Sequence, residues 1–236
     1  AINLILSSVS TDVLAITSED GVLEPDEGYM RINSLLGELG HQGIQTSRGI
    51  ISKNEAPAWR ALALKTHWGP KPLSYAEPTE VKEFLVSMIE QEEHPVEIIC
   101  MGLLTNIANA VLMKPSIKNQ ISRIIWFDQC QPEVTWTNYG MDCLSAEYLL
   151  KTEIPVHRIL TDTDAVEFSR DFLRDVGSIH TPYAQSIYKS HSRDTLLERI
   201  NQGNLKLWDD LTALYFFYPE LFERDTTFAD SAGYVY

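Results

Sequence analysis

The chain has 236 residues, 44% of them apolar and 22% charged, enough to bury a sizeable core and typical of a globular protein. A formal charge of −14 argues against nucleic acid as a partner, because phosphate binding depends on Lys and Arg. No segment approaches the roughly 18 unbroken apolar residues of a membrane helix.

Ala1 to Ser7 reads as the end of a buried helix, and the apolar run Val13 to Thr17 as a strand closed by the turn Ser18-Glu19-Asp20-Gly21. Pro25, with Asp26 and Glu27 behind it, suits a helix start. Ile32, Leu35, Leu36 and Leu39 form its apolar face, and Gly40 suits its end. His41 to Ala76 is polar and punctuated by Gly and Pro, a stretch expected to form a lid or rim. Pro78-Thr79-Glu80 opens a second helix, carrying Val81, Phe84, Leu85, Met88 and Ile89 on one side.

The most informative stretch follows. Val96 to Met101 reads as a strand, Gly102 as a tight turn and Leu103 to Ala110 as a helix that ends before Pro115. Arg123 to Phe127 is a second strand. Apolar runs this short, without clean alternation, suit strands buried on both faces of a parallel sheet. Ligands of such sheets bind beyond the carboxyl ends of the strands, which directs attention to residues 102 to 106 and to Asp128. A helix over Asp142–Lys151 and a strand over Pro155–Leu160 continue the alternation. Helices then dominate, at Val166–Val176, Tyr183–Ile200 and Leu207–Tyr218. With no repeat and no linker, the chain reads as one α/β domain over residues 1–236: a Rossmann-like, mostly parallel sheet flanked by helices, with a helical carboxyl-terminal part.

Cys100, Cys130 and Cys143 form no CxxC pair and read as reduced, packed thiols, which leans towards the cytoplasm. The chain opens inside an apolar segment and reads as starting mid-domain, so targeting is not legible. The six histidines have no metal-ligand spacing and read as packed or surface residues. Asp20, Asp128, Asp162 and Asp164 all follow expected strands and would share one rim. GxSxG, P-loop and GxGxxG motifs are absent, which removes the sequence support for triad hydrolases, P-loop nucleotide hydrolases and dinucleotide enzymes.

Three segments in register resemble the nucleoside hydrolase family. Gly102-Leu103-Leu104-Thr105-Asn106-Ile107-Ala108, with Pro115 and Arg123-Ile124-Ile125, is similar to its GPLTNIA segment and the strand after it. Thr135-Trp136-Thr137-Asn138, then Asp142, Ala146 and Ile154-Pro155-Val156, is similar to its EFN, DPEAA and IPV block. Trp208-Asp209-Asp210-Leu211-Thr212-Ala213, with Pro219-Glu220-Leu221-Phe222, resembles its HDPLAVA and DPELF helix.

The resemblance implies a calcium-assisted hydrolysis of the N-glycosidic bond of ribonucleosides. It assigns the Thr105 carbonyl and the Asp209 carboxylate to the metal, and Asn138, Phe127, Trp136 and Trp208 to the nucleoside or sugar. Asp209 and Asp142 also stand where helices begin; capping competes evenly with ion binding at Asp209 and is the plainer role at Asp142. Departures from the family pattern are several. The amino-terminal DxDxxxDD motif, which supplies the general base, is expected just before Ala1. Trp208 stands where the family has a proton-donating histidine, Val22 where it has Asn, and Trp136 where it has an acid. Phe127-Asp128-Gln129 replaces Met-Gly-Gly. Asp128 in its protonated form, or a water, is then the candidate to protonate the leaving base. The competing expectation is a non-catalytic nucleoside- or sugar-binding homologue on the same fold. An unrelated α/β protein would instead place Thr105 and Asp209 far apart. Homo-oligomerisation is left open.

Overall fold

The computed structural model describes residues 1–51, 57, 60–66, 69, 79–128, 137–160, 166–225 and 234–235. After the short helix α1 (Ile2–Leu6), strand β1 (Ala15–Thr17) leads into α2 (Pro25–Leu39). Pro25 occupies the first turn of α2 beside Asp26 and Glu27, and Gly40 ends it at φ 80°. A left-handed residue of that kind is most easily supplied by glycine, which has no Cβ to clash.

Two short elements lie in the stretch expected to be rim. Strand β2 (Gln45–Ser47) pairs in parallel with β1, and α3 is Arg60–Lys65. Helix α4 (Val81–Glu90) follows, and then the strand–helix–strand unit: β3 (Val96–Cys100), α5 (Thr105–Met113), a 3-10 turn at Pro115–Gln120, and β4 (Ile121–Phe127).

Next come α6 (Asn138–Met141), α7 (Cys143–Leu150) and β5 (Val156–Ile159). The remaining helices are α8 (Arg170–Ser178), α9 (Pro182–His191), α10 (Asp194–Asn201) and α11 (Asp210–Phe217), with β6 at Tyr234–Val235. The fold is α/β. Among the described residues, one sheet has the order β3-β4-β5-β6 with every pairing parallel, and β1 and β2 form another.

The alternation of β4 shows how the layers assemble. Ile124 and Trp126 point into a cluster with α4, α5 and α7, through Val86, Ile107, Val111 and Leu149. Ile125 points the other way, with Ile159 and Tyr215 of α11. All four strand side chains are fully buried, and each contributes roughly 1.5–3 kcal/mol. Such two-sided burial is what the uninterrupted apolar runs anticipated. A third cluster, Phe168, Leu173 and Ile200, holds α8 and α10 together.

The expected helix over Tyr183–Ile200 is two helices. The break falls at Ser192 and Arg193, and Asp194 takes φ 52°. The expected helix from Val166 begins instead at Arg170, capped by the Ser169 side chain on the Phe172 amide, while Glu167 bridges to Lys206. No helix among the described residues is long and apolar enough to cross a membrane.

Candidate active site

All strand pairings are parallel, so the carboxyl ends of β1, β3, β4 and β5 open at one side of their sheets. Asn106, in the first turn of α5, joins three of the chain segments there. Its Nδ2 donates to the Ser18 carbonyl at 2.7 Å, and its Oδ1 accepts from the Ile50 amide at 3.1 Å. Ser18 Oγ accepts from the Gly49 amide and donates to the Pro25 carbonyl. A Cβ on Gly49 would lie 2.1 Å from the Ser18 carbonyl oxygen, so only glycine lets β2's end approach β1's.

Acidic groups gather on this frame. Glu19 Oε1 accepts from the Asn106 amide at 3.1 Å, which gives α5 a cap from 87 residues away. Glu19 Oε2 is closed off from water and has no partner among the described residues. Burial holds the Glu19 carboxyl well above the usual range; the Asn106 amide opposes this, and the Asp142 and Asp20 charges add to it. Asp20 is buried and accepts from Arg60 Nη2 at 2.5 Å, while Arg60 also donates to the Gly21 carbonyl. Asp142 accepts from Thr105 Oγ1 at 2.5 Å and from the Ser145 amide at 3.1 Å. It thus caps α7.

Asp209 immediately precedes α11, yet its carboxylate caps no amide of that helix among the described residues. Its carboxyl is pushed up to about 7 by the surrounding protein mass and by Asp210, with the Ala1 amine opposing. The residue is exposed, and water moderates that push. The Asp210 carboxylate accepts from the Ala1 amine. The Cys100 thiol, at the end of β3, is raised by burial first and then by the charges of Glu19 and Asp209. Both charges are therefore felt at the end of β3, five residues before Thr105.

The residues singled out in the sequence fall as follows. Thr105 opens α5 at the mouth, and its carbonyl accepts from Asn109 Nδ2 at 2.8 Å besides the Asn109 amide of the helix, so both lone pairs of that oxygen are engaged. Asn138 opens α6. Its Nδ2 donates to the Phe127 carbonyl at 2.9 Å and to the Met101 carbonyl at 3.3 Å, tying the ends of β4 and β3. With the amide hydrogens spent on these carbonyls, Asn138 has an acceptor, Oδ1, to offer a ligand. Phe127 is buried at the end of β4, and Trp208 is 37% exposed beside Asp209. Trp136 lies outside the described residues, as do Asp162, Asp164 and Cys130.

Asp128 does not stand free at the rim, where its position after β4 had suggested it. Its side chain is fully buried and its Oδ2 accepts from Arg158 Nε at 3.0 Å and Nη2 at 2.7 Å. Oδ1 has no partner among the described residues, and burial outweighs the guanidinium in raising its pKa. The paired strand β5 supplies the arginine, a contact that no local signal in the sequence announces. Cys143 is exposed rather than packed. His41, His157 and His191 are packing residues: the first two bond to the Tyr183 and Tyr215 hydroxyls, and the third stacks on Phe168.

The donor set suits a hard, oxygen-seeking cation in its chemistry: an orphaned buried carboxylate oxygen and an uncapped carboxylate. Among the described residues, no three His, Cys, Asp or Glu side chains stand together as a ready-made ligand set. Carbonyl and water oxygens would have to complete the shell. A second cleft, of about 360 Å³, lies at the opposite end of β5, lined by Leu150, Thr152, Glu153, Pro155 and Arg224. It carries none of the groups above.

A parallel sheet with a carboxylate-lined mouth at its strand ends defines an α/β protein of the ligand-binding, strand-end type. The chain belongs to the inosine-uridine preferring nucleoside hydrolase family, whose sequence model matches residues 1–233. It is 27% identical over 171 residues to the pyrimidine-specific ribonucleoside hydrolase RihA of Citrobacter koseri, a match covering 66% of this chain and 54% of that protein. The chain thus spans about half the length of the curated relatives it matches. Among solved structures, the plant nucleoside hydrolase PpNRh1 superposes with a TM-score of 0.76 at 18% identity, over 100% of this chain and 81% of that one. The purine-preferring ribonucleoside hydrolase from Gardnerella vaginalis superposes at 0.75 and 18% identity, over 100% and 83%. These structural likenesses establish the fold.

Proposed function

We propose that the protein hydrolyses the N-glycosidic bond of ribonucleosides, releasing base and ribose, with calcium at the strand-end mouth. The observation that carries this reading is Asp209: a carboxylate at the head of a helix, in a family of nucleoside hydrolases, left uncapped and with its charge felt, like that of Glu19, at the Cys100 thiol that ends β3.

The roles of the residues follow from their chemistry. Asp209 would hold the ion, and the Thr105 carbonyl would join it on giving up one of its two donors. Calcium, when bound, supplies a positive centre that accepts ribose hydroxyls and a water in its coordination shell. Asn138 Oδ1 accepts a hydrogen bond from a ribose hydroxyl, its orientation set by the strand ends it ties. Acidic charge gathered at this strand end favours a sugar that becomes oxocarbenium-like. Trp208 offers an indole face for the planar base, an interaction tolerant of base identity. Relatives include both pyrimidine-specific and purine-preferring enzymes, and stacking favours neither.

The test is chromatography of uridine and inosine after incubation with the protein, with calcium and with a chelator. Equal amounts of free base and ribose, lost on chelation, are expected. Intact nucleosides under both conditions would refute the reading.

One observation favours a second reading, a nucleoside- or sugar-binding homologue without turnover. Asp128, the acid that the sequence offered to the leaving base, is locked on Arg158. Calorimetric binding of a nucleoside that is recovered intact would support this reading, and base release would exclude it.

A further inference from the structure

We infer that Glu19 is a calcium ligand, supplied by the turn after β1: its Oε1 is anchored on the α5 amide, and its Oε2 is the oxygen that meets the ion. The inference rests on the proposed function only for the identity of the ion. Glu19 is held as a ligand would be, with one oxygen fixed by the Asn106 amide at 3.1 Å and the chain behind it packed against Gly102. The second oxygen is shut off from water and has no donor among the described residues. A carboxylate oxygen buried without a partner is costly, and a bound cation removes that cost.

The surroundings favour a cation over another donor. Asp20 and Asp142 act on Glu19 with like charge, and the charges of Glu19 and Asp209 both act on the Cys100 thiol at the end of β3. The nearby guanidinium of Arg60 is engaged by Asp20, Glu24 and the Gly21 carbonyl. Oxygen donors of this kind suit calcium, which takes carboxylates, carbonyls and waters together.

Glutamine at this position keeps an oxygen for the Asn106 amide but removes the charge, so it separates capping from ion binding. Calcium titration calorimetry on the intact protein, wild type and Glu19→Gln, supplies the measurement, with thermal unfolding in chelator as the control for folding. Expected is a Kd raised at least about tenfold in the variant, with an unfolding midpoint in chelator no lower than that of wild type. Equal affinities, or a wild-type protein that binds no calcium, would overturn the inference. Should Glu19→Gln fail to fold, Glu19→Asp keeps the charge but withdraws it by one methylene. A Kd raised at least threefold is then expected, and unchanged affinity overturns the assignment. Calcium binding lost in the variant, in a protein that cleaves no nucleoside, would uphold Glu19 and sink the hydrolase reading. Nucleoside cleavage with unaltered calcium affinity would do the reverse.

Discussion

Replacing Asp128 with alanine is expected to be among the most damaging single changes in the molecule. The carboxylate is fully buried, and Arg158, whose side chain is 5% exposed, gives it two hydrogen bonds at 3.0 and 2.7 Å. Removing the acid leaves a guanidinium in the interior without the carboxylate it chelates, a loss of about 3–5 kcal/mol. A domain of ordinary stability has about 5–15 kcal/mol to lose, so the variant approaches unfolding at physiological temperature. The double variant Asp128→Leu/Arg158→Met removes both charges, and its cost should fall well below that of Asp128→Ala alone. Urea unfolding followed by circular dichroism measures each midpoint and slope. A loss under 1 kcal/mol in Asp128→Ala, or a double variant as damaged as the sum of the singles, would refute the buried pair.

Three further outcomes are expected. Asn106→Ala orphans the Ser18 carbonyl and the Ile50 amide, a destabilisation of about 2–5 kcal/mol that urea unfolding would register. Asp209 is raised from the ordinary 3.8 to about 7, so the unfolded chain ionises there first. Its contribution therefore makes stability fall as pH rises from about 4 to about 7 and level above that. Thermal midpoints in chelator should show this slope lessened in Asp209→Asn, and an unchanged slope would remove Asp209 as its source. Trp208→Ala, if the indole carries the base, raises KM for a nucleoside roughly 5- to 100-fold with kcat little altered, as steady-state kinetics would show.

Much of the frame was legible because its signals are local. Pro25 and Gly40 bracket α2, and the runs around Gly102 mark a strand, a turn and a helix whose neighbours bury both faces of β4. Asp142 was readable as a cap because capping acts over three residues. Elements that depend on tertiary partners were not. Strand β2 is three residues, Gln45 to Ser47, with no apolar run, and exists because it pairs with β1. The break between α9 and α10 lacks glycine or proline, and Asp194 takes a positive φ that no sequence rule foretells.

The site divides the same way. Thr105, Asn138 and Asp209 came from motif register. Glu19 was read as part of a turn, because a Ser-Glu-Asp-Gly tetrapeptide carries turn chemistry whatever its acid does. Its partner, the Asn106 amide, is 87 positions distant, and only folding places it at the head of α5. Asp128 misled for a related reason: its position after a strand indicated a rim, while its environment is set by an arginine on the neighbouring strand.

The nucleoside is expected to sit at the carboxyl ends of β3 and β4, and a crystal structure with a non-hydrolysable nucleoside analogue and calcium would show it. Ribose is expected within hydrogen-bonding distance of Asn138 Oδ1, with the ion on Asp209. Analogue bound instead in the cleft at the amino end of β5, or ribose and ion on separate sides of the sheet, would contradict it.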